Sequence, residues 1–132
     1  MTGDTDLKKI LATLSPALDS REYVFCTFRN SVYGDYAELK PIASFMETEG
    51  LTLVLEKSSA DREGIDYQAV FKRITLNVHS SLQAVGLTAA VSSLLAEQGI
   101  SANMIAAYCH DHIFVGAADA ERALALLQSD HL

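Results

Sequence analysis

Hydrophobic and polar positions recur with recognisable periods along most of the chain, and these periods predict an α+β protein. Residues 71–78 alternate apolar Ile74 and Leu76 with polar neighbours, which is typical of a half-buried strand. From residue 86 the period changes to that of a helix with one apolar face. Gly99 follows where a left-handed C-terminal cap is favoured, so the pattern predicts a helix over 86–98.

The other elements are predicted from the same kinds of signal. A first helix is expected around Leu7–Leu14, a strand over 22–29 and a loop over 30–39. Gly50 can supply the positive φ of a tight turn, which predicts a hairpin, although a helix over 37–49 competes with its first strand. The remaining predictions are hairpin strands at 42–48 with 51–56 and at 101–108 with 112–116, and helices at 58–65 and 118–128.

The order of these elements suggests an internal duplication. Residues 66–132 have the order β-α-β-β-α, a ferredoxin-like pattern without its last strand, and residues 1–65 have the order α-β-β-β-α. Ala60-Asp61 and Ala118-Asp119 each open a helix after a hairpin, which supports two related halves. We therefore expect ferredoxin-like halves, 1–65 and 66–132, packed side by side, with antiparallel sheets and helices on one face.

Several segments resemble a known family. GLTAAVSSLLAEQGI, residues 86–100, is similar to the helix-and-turn core of an ACT domain. The run from VHSSL to HDHIFV, residues 78–115, resembles the C-terminal half of a bacterial family of paired ACT-like proteins of unassigned activity. ETEGLTLVL, residues 47–55, resembles the N-terminal half of that family. The resemblance implies two ACT-like domains covering nearly the whole chain.

The resemblance also implies where a ligand would bind. In ACT domains the loop after the first strand and the start of the first helix commonly contact an amino-acid effector. Transferred to this chain, these positions are His79, Ser80, Ser81, Val85, Gly86 and Leu87. Free N–H groups at a helix start attract a carboxylate, which agrees with this placement. Alternatively, Ser80 and Gln83 have the spacing of a capping box, which needs no ligand.

Three further residues complete the expected ligand site. Asn103 and Ile105 are expected to line its opposite wall, because an asparagine offers both donors and acceptors. The acidic residue that ACT domains often carry near this turn is missing, since Gln83-Ala84-Val85-Gly86 stands there. Glu49, Asp111 or backbone carbonyls are therefore expected to hold the ammonium group of an effector.

The histidines suggest a different chemistry. His110 and His112 share a face if their segment is a strand, and with Cys109, Asp111 or His79 they could bind a transition metal. Two ligands beside a turn are too few for a typical site, so we assign no metal and no cofactor. No Gly-x-Ser-x-Gly elbow or phosphate-binding glycine loop is present, so we expect no catalysis.

Composition narrows the choice of partners. The chain has 132 residues and a net charge of −7, which argues against nucleic acid and anionic membrane surfaces. No apolar run is long enough to span a bilayer, and the N-terminus does not resemble a secretory signal. Cys26 and Cys109 lie in apolar runs and are expected to be buried, reduced thiols. These features indicate the cytoplasm.

Together, these observations predict a cytoplasmic, non-enzymatic regulatory module. Its expected ligand is an amino acid or a similar small carboxylate metabolite. It is expected to form a homo-oligomer, such as a homodimer, and to act on a protein partner in trans. The alternative is a protein-protein interaction module without a metabolite. A third class is a metal site or enzyme built on His79, His110 and His112.

Overall fold

A computed structural model of the protein describes residues 12–77 and 86–128. The contacts divide the chain into two compact units, one of residues 20–71 and one of residues 1–19 with 72–132. Strand β1, Pro16–Phe28, contributes to both, because its residues 16–19 belong to the second unit and 20–28 to the first. The domain boundary predicted between residues 65 and 66 stays a prediction.

The unit of residues 20–71 is an antiparallel sheet with the strand order β2-β3-β1. Strand β2 is Ala43–Glu47 and β3 is Gly50–Glu56, with Glu47 opposite Gly50 at the hairpin. A short 3₁₀ helix, Ala37–Leu39, precedes β2, and helix α1, Lys57–Arg62, follows β3. The predicted first hairpin is confirmed, and the competing helix over 37–49 is wrong.

One face of this sheet carries the core of the unit. The core side chains occupy alternate positions along β1 and β3, so they share one face of the sheet. The buried side chains are Val24, Cys26, Leu39, Leu51, Leu53, Leu55 and Ala60. Phe28 packs against them and stacks on Tyr36 with ring centroids 4.1 Å apart.

The other unit contains most of the C-terminal half of the chain. Its elements are β4, Phe71–Leu76; α2, Leu87–Glu97; β5, Asn103–Ala106; β6, Asp111–Gly116; and α3, Ala120–Gln128. Strands β5 and β6 are antiparallel, and β6 lies between β5 and β4. The predicted strand, second hairpin and two helices of this half are confirmed.

Residues from the start of the chain complete this unit. The backbone N–H of Asn77 donates to the carbonyl of Ser15, and the Arg73 side chain pairs with Asp19. Residue numbers rise from Ser15 to Asp19 while those of their partners fall from Asn77 to Arg73. The start of β1 therefore lies antiparallel to β4. The strand that the pattern β-α-β-β-α lacks is thus supplied by residues 16–19. The helix predicted around Leu7–Leu14 lies mostly outside the described residues.

The core of this unit lies between its sheet and helices α2 and α3. It consists of Leu14 and of apolar side chains that lie mainly on β4, α2, β6 and α3. Its buried members are Leu14, Ile74, Leu76, Leu87, Val91, Leu95, Ile100, Ile113, Val115, Ala120, Ala123 and Leu127. Leu18 and Met104 pack against it. Because side chains alternate along strands, the intervening residues of β4, β5 and β6 face away from the helices. The α+β class and the antiparallel, ferredoxin-like fold are therefore confirmed.

Candidate functional site at the start of helix α2

Helix α2 begins with a glycine in a conformation that few other residues adopt. Gly86 has φ 101° and is the N-cap residue. The first helical hydrogen bond runs from the Ala90 N–H to the Gly86 carbonyl, at 2.8 Å. The N–H groups of residues 87–89 precede it in the helix and have no intrahelical acceptor. The first turn holds no acidic side chain, so no charge of the helix itself balances the partial positive charge at its N-terminus.

A Cβ atom added to Gly86 would meet no atom of the described residues within 4 Å. Leu87 is buried in the core and anchors the first turn, while Thr88 and Ala89 are exposed. Helix α2 begins at Leu87, after Gly86. Backbone N–H groups at the start of a helix can bind a small anion.

Four predicted site residues, His79, Ser80, Ser81 and Val85, lie outside the described residues, as does Gln83 of the alternative capping box. Glu49 lies in the turn between β2 and β3, in the other unit, and is exposed. Ligand binding by these residues stays a prediction.

Asn103 and Ile105 lie on the face of the sheet turned away from α2. Asn103 is opposite Phe114 and donates from Nδ2 to its carbonyl oxygen at 3.0 Å. Ile105 is opposite His112. Within this unit, the two residues therefore lie on the same sheet face as the polar residues of β4 and β6, whereas Gly86 lies on the helix side.

That face carries a polar cluster that the sequence analysis did not predict. Arg73 Nη2 lies 2.9 Å from Asp19 Oδ2, and their side chains are only 22% and 11% exposed. Thr75 Oγ1 lies 2.8 Å from His112 Nδ1. We name Asp19, Arg73, Thr75, His110 and His112 the Arg73 cluster. Alternation with Ile74 and Leu76 already placed Arg73 and Thr75 on one face. Their partners, however, depend on long-range strand pairing.

The electrostatics of the Arg73 cluster centre on His112. Burial lowers the pKa of His112, and the positive charges of Arg73 and His110 lower it further, while Asp111 acts in the opposite direction. His112 is therefore held in its neutral form near pH 7. Within the described part of the chain, Nδ1 of His110 is shielded from solvent and has no hydrogen-bond partner. Buried polar atoms usually have one.

The described residues contain no group of three or more His, Cys, Asp or Glu side chains placed to hold a metal ion. His79 of the alternative metal site lies outside them. The prediction that both cysteines are buried is wrong for Cys109, which lies in the exposed turn before β6. Cys26 is buried, and burial raises the pKa of its thiol. Among the helices of the described ranges, none is long and apolar enough to cross a membrane.

Comparisons with known proteins agree with this architecture. Two family models, each for an ACT domain, match the chain in tandem, over residues 2–72 and 72–129. The chain belongs to the ACT domain family. ACT domains are regulatory rather than catalytic modules. The ACT match covers both halves of the chain, as the resemblance implied.

Solved structures of other proteins resemble this ACT-domain chain. A Vibrio cholerae protein, described as of unknown function and as a possible transport protein, is 54% identical, with a TM-score of 0.87 and 96% of each chain covered. The regulatory subunit of aspartate kinase from Thermus flavus is 14% identical, with a TM-score of 0.65, covering 92% of this chain and 99% of that one.

The ligand-free regulatory subunit of aspartate kinase from Thermus thermophilus is 11% identical, with a TM-score of 0.63, covering 87% of this chain and 95% of that one. At these low identities, the two Thermus subunits show the fold alone. A comparison with curated proteins gave no match.

Proposed function

We propose that this ACT-domain protein is a non-enzymatic regulatory module that binds a small carboxylate metabolite, an amino acid, at the start of helix α2. The observation that carries the proposal is the glycine-led start of helix α2, whose first backbone N–H groups have no acceptor within the helix. A carboxylate suits such donors, because the helix dipole and the N–H groups both favour negative charge.

The family supports a regulatory role. The Thermus proteins with this fold are regulatory subunits of aspartate kinase. We propose that the present chain acts in the same general manner, in the cytoplasm, as a homo-oligomer and on a protein partner in trans. An effector changes such an assembly only if it binds one state more tightly than another.

The proposal can be tested by thermal unfolding of the full chain in the presence of each standard amino acid. A ligand that binds only the folded state stabilises it by about 2.7 kcal/mol at a hundredfold excess over its Kd. We expect one amino acid, or a few related ones, to raise the unfolding temperature. If no standard amino acid raises the unfolding temperature, the proposed ligand class is wrong.

A charge substitution at the helix start tests the site itself. Thr88 is exposed in the first turn, so Thr88→Glu places a carboxylate where the ligand carboxylate is proposed to bind. The negative charge also favours the helix dipole, so we expect the variant to fold. Thr88→Glu should remove the amino-acid response, whereas the uncharged Thr88→Gln of the same length should retain it. An unchanged response in Thr88→Glu would place the ligand elsewhere.

A protein-protein interaction module is the second candidate, and exposed apolar side chains favour it. Phe45 and Met46 on β2, an end strand of its unit, are 71% and 48% exposed. Exposed apolar residues on an edge strand are typical of a surface that pairs with another chain. Sedimentation velocity of Phe45→Ser, with Tyr108→Ser as a control at another exposed aromatic residue, tests this candidate. Dissociation of an oligomer by Phe45→Ser alone would support it.

A further inference from the structure

We propose that the Arg73 cluster is a second binding site, which takes a small oxyanion of the sulfate, phosphate or carboxylate class between Arg73 and His112. This site lies on the sheet face turned away from helices α2 and α3, whereas the start of α2 is in the helix layer. The proposal is therefore independent of amino-acid binding at Gly86.

Arg73 supplies a fixed positive charge. Its guanidinium is held by Asp19 at 2.9 Å, and its side chain is largely buried. A guanidinium stays protonated at all physiological pH values, and its planar donors match the geometry of an oxyanion. Basic side chains are few in this unit. Its described residues contain three lysines and arginines, namely Lys72, Arg73 and Arg122.

His112 supplies an oriented donor. Its Nδ1 contacts the hydroxyl of Thr75 at 2.8 Å, which fixes the ring. When the Thr75 hydroxyl donates this bond, the neutral ring carries its proton on Nε2. Nε2 can then donate to an anion. Ile105 lies opposite His112 on β5 and provides an apolar neighbour.

The electrostatic surroundings of His112 favour the binding of an anion. Arg73 and His110 act on the ring as positive groups, and Asp111 acts as the negative one. Asp19 is engaged by Arg73, and strand β5 contributes no titratable side chain, since its sequence is NMIA. Nδ1 of His110 has no hydrogen-bond partner among the described residues. An anion would therefore stabilise a protonated His112 that the protein alone disfavours.

The test is an NMR titration of the His112 ring between pH 5 and 8 in the whole 132-residue chain. Sulfate and acetate are compared with chloride at equal ionic strength of the ionised forms, because sulfate keeps its charge and acetate is mostly ionised over this range. We expect sulfate, acetate or both to raise the titration midpoint of His112 by about one pH unit. That shift corresponds to about tenfold tighter binding to the protonated ring.

The two anions separate the possible ligand sources. A response to sulfate alone indicates a tetrahedral, phosphate-like ligand, and a response to acetate alone indicates a carboxylate. A response to both indicates an oxyanion site without shape selection. Equal midpoints in sulfate, acetate and chloride would overturn the proposal.

A single and a double variant test the role of Arg73, and the double variant removes both charges of the ion pair with Asp19. Asp19→Asn removes the competing carboxylate and should increase the anion-induced shift. The double variant Asp19→Asn with Arg73→Gln replaces the ion pair by neutral groups and should abolish the shift. Retention of the full shift in the double variant would overturn the proposal. Should the double variant fail to fold, a shift in Asp19→Asn no larger than in the unmodified protein would overturn it as well.

The variant Thr88→Glu separates this site from the start of α2. We expect the anion-induced shift of His112 to be unchanged in Thr88→Glu, even where the amino-acid response is lost. Loss of both responses would mean that the anion acts through α2, and the second site would then be rejected.

Discussion

Nδ1 of His112 and Oγ1 of Thr75 lie 2.8 Å apart, joining β6 to β4 on the face turned away from the helices. The pKa of His112 is lowered from its ordinary value of 6.5 by burial, Arg73 and His110. The folded protein therefore binds fewer protons than the unfolded chain as the pH falls through 6.5. Protonation favours the unfolded chain, so this histidine makes stability decrease on acidification below about pH 6.5.

Denaturant unfolding between pH 8 and 5 measures this effect. One proton can contribute at most about 1.4 kcal/mol per pH unit, and partial exposure reduces that limit. In His112→Gln, which cannot titrate, we expect a smaller loss of stability between pH 7 and 5 than in the unmodified protein. An identical pH dependence in both proteins would contradict the assignment to His112.

Gly50 is predicted to be intolerant of any side chain. Its φ is 148°, and an added Cβ would lie 2.6 Å from the backbone oxygen of Phe28. Such a contact with backbone forces β1 or β3 to move. We expect Gly50→Ala to destabilise the protein by more than about 3 kcal/mol in chemical denaturation.

Gly34→Ala is the matched control for Gly50→Ala. Gly34 also has positive φ, at 101°, but an added Cβ would meet nothing within 4 Å. We expect a loss of only about 1 kcal/mol, due to backbone conformation alone. Similar losses at the two positions would show that the close approach to Phe28 does not limit substitution.

The two thiols are expected to differ in reactivity. Cys109 is exposed, whereas Cys26 is buried and the pKa of its thiol is raised. The thiolate is the reactive form, so burial and a raised pKa both slow alkylation. With iodoacetamide at pH 8, intact-mass spectrometry should detect one modification per folded chain and two in denaturant. Replacement of Cys109 by Ser should leave the folded chain unmodified.

Arg122 links helix α3 to the end of helix α2. Its Nη1 donates to the carbonyl of Gln98, the C-cap residue of α2, at 2.8 Å, and its Nη2 contacts Asp119. A cation there satisfies a terminal carbonyl and favours the helix dipole. We expect Arg122→Gln to cost about 0.5–1.5 kcal/mol in thermal or chemical unfolding.

Arg62→Gln serves as the control for Arg122→Gln. Arg62 is exposed, and its described ion pair is with the adjacent Glu63. Such surface pairs contribute little, so we expect a change within about 0.5 kcal/mol. Equal effects at the two arginines would argue against the link between α2 and α3.

The sequence periods predicted most of the secondary structure, because each element has one apolar face. The change from alternation in β4 to helical spacing in α2 is an example, and Gly86 and Gly99 mark the ends of that helix. The loop over 30–39 was predicted without its 3₁₀ helix, Ala37–Leu39. A single turn of three residues produces no period in the sequence.

The candidate site was less predictable than the fold. The local sequence pointed to Gly86, because glycine readily adopts the positive φ that can precede an apolar helix. The grouping of Asn103 and Ile105 with His112, by contrast, depends on the pairing of β5 with β6. The ion pair of Arg73 with Asp19 joins residues 54 positions apart, which no local pattern encodes.

The division of β1 between the two units has a consequence for synthesis on the ribosome. Residues 20–71 form a unit whose described core needs no later part of the chain. Leu14 and Leu18 are translated before that unit, but they belong to the core of the other unit, whose remaining members all follow residue 71. These two leucines therefore stay unpacked in the nascent chain until the strands and helices after residue 71 have been translated.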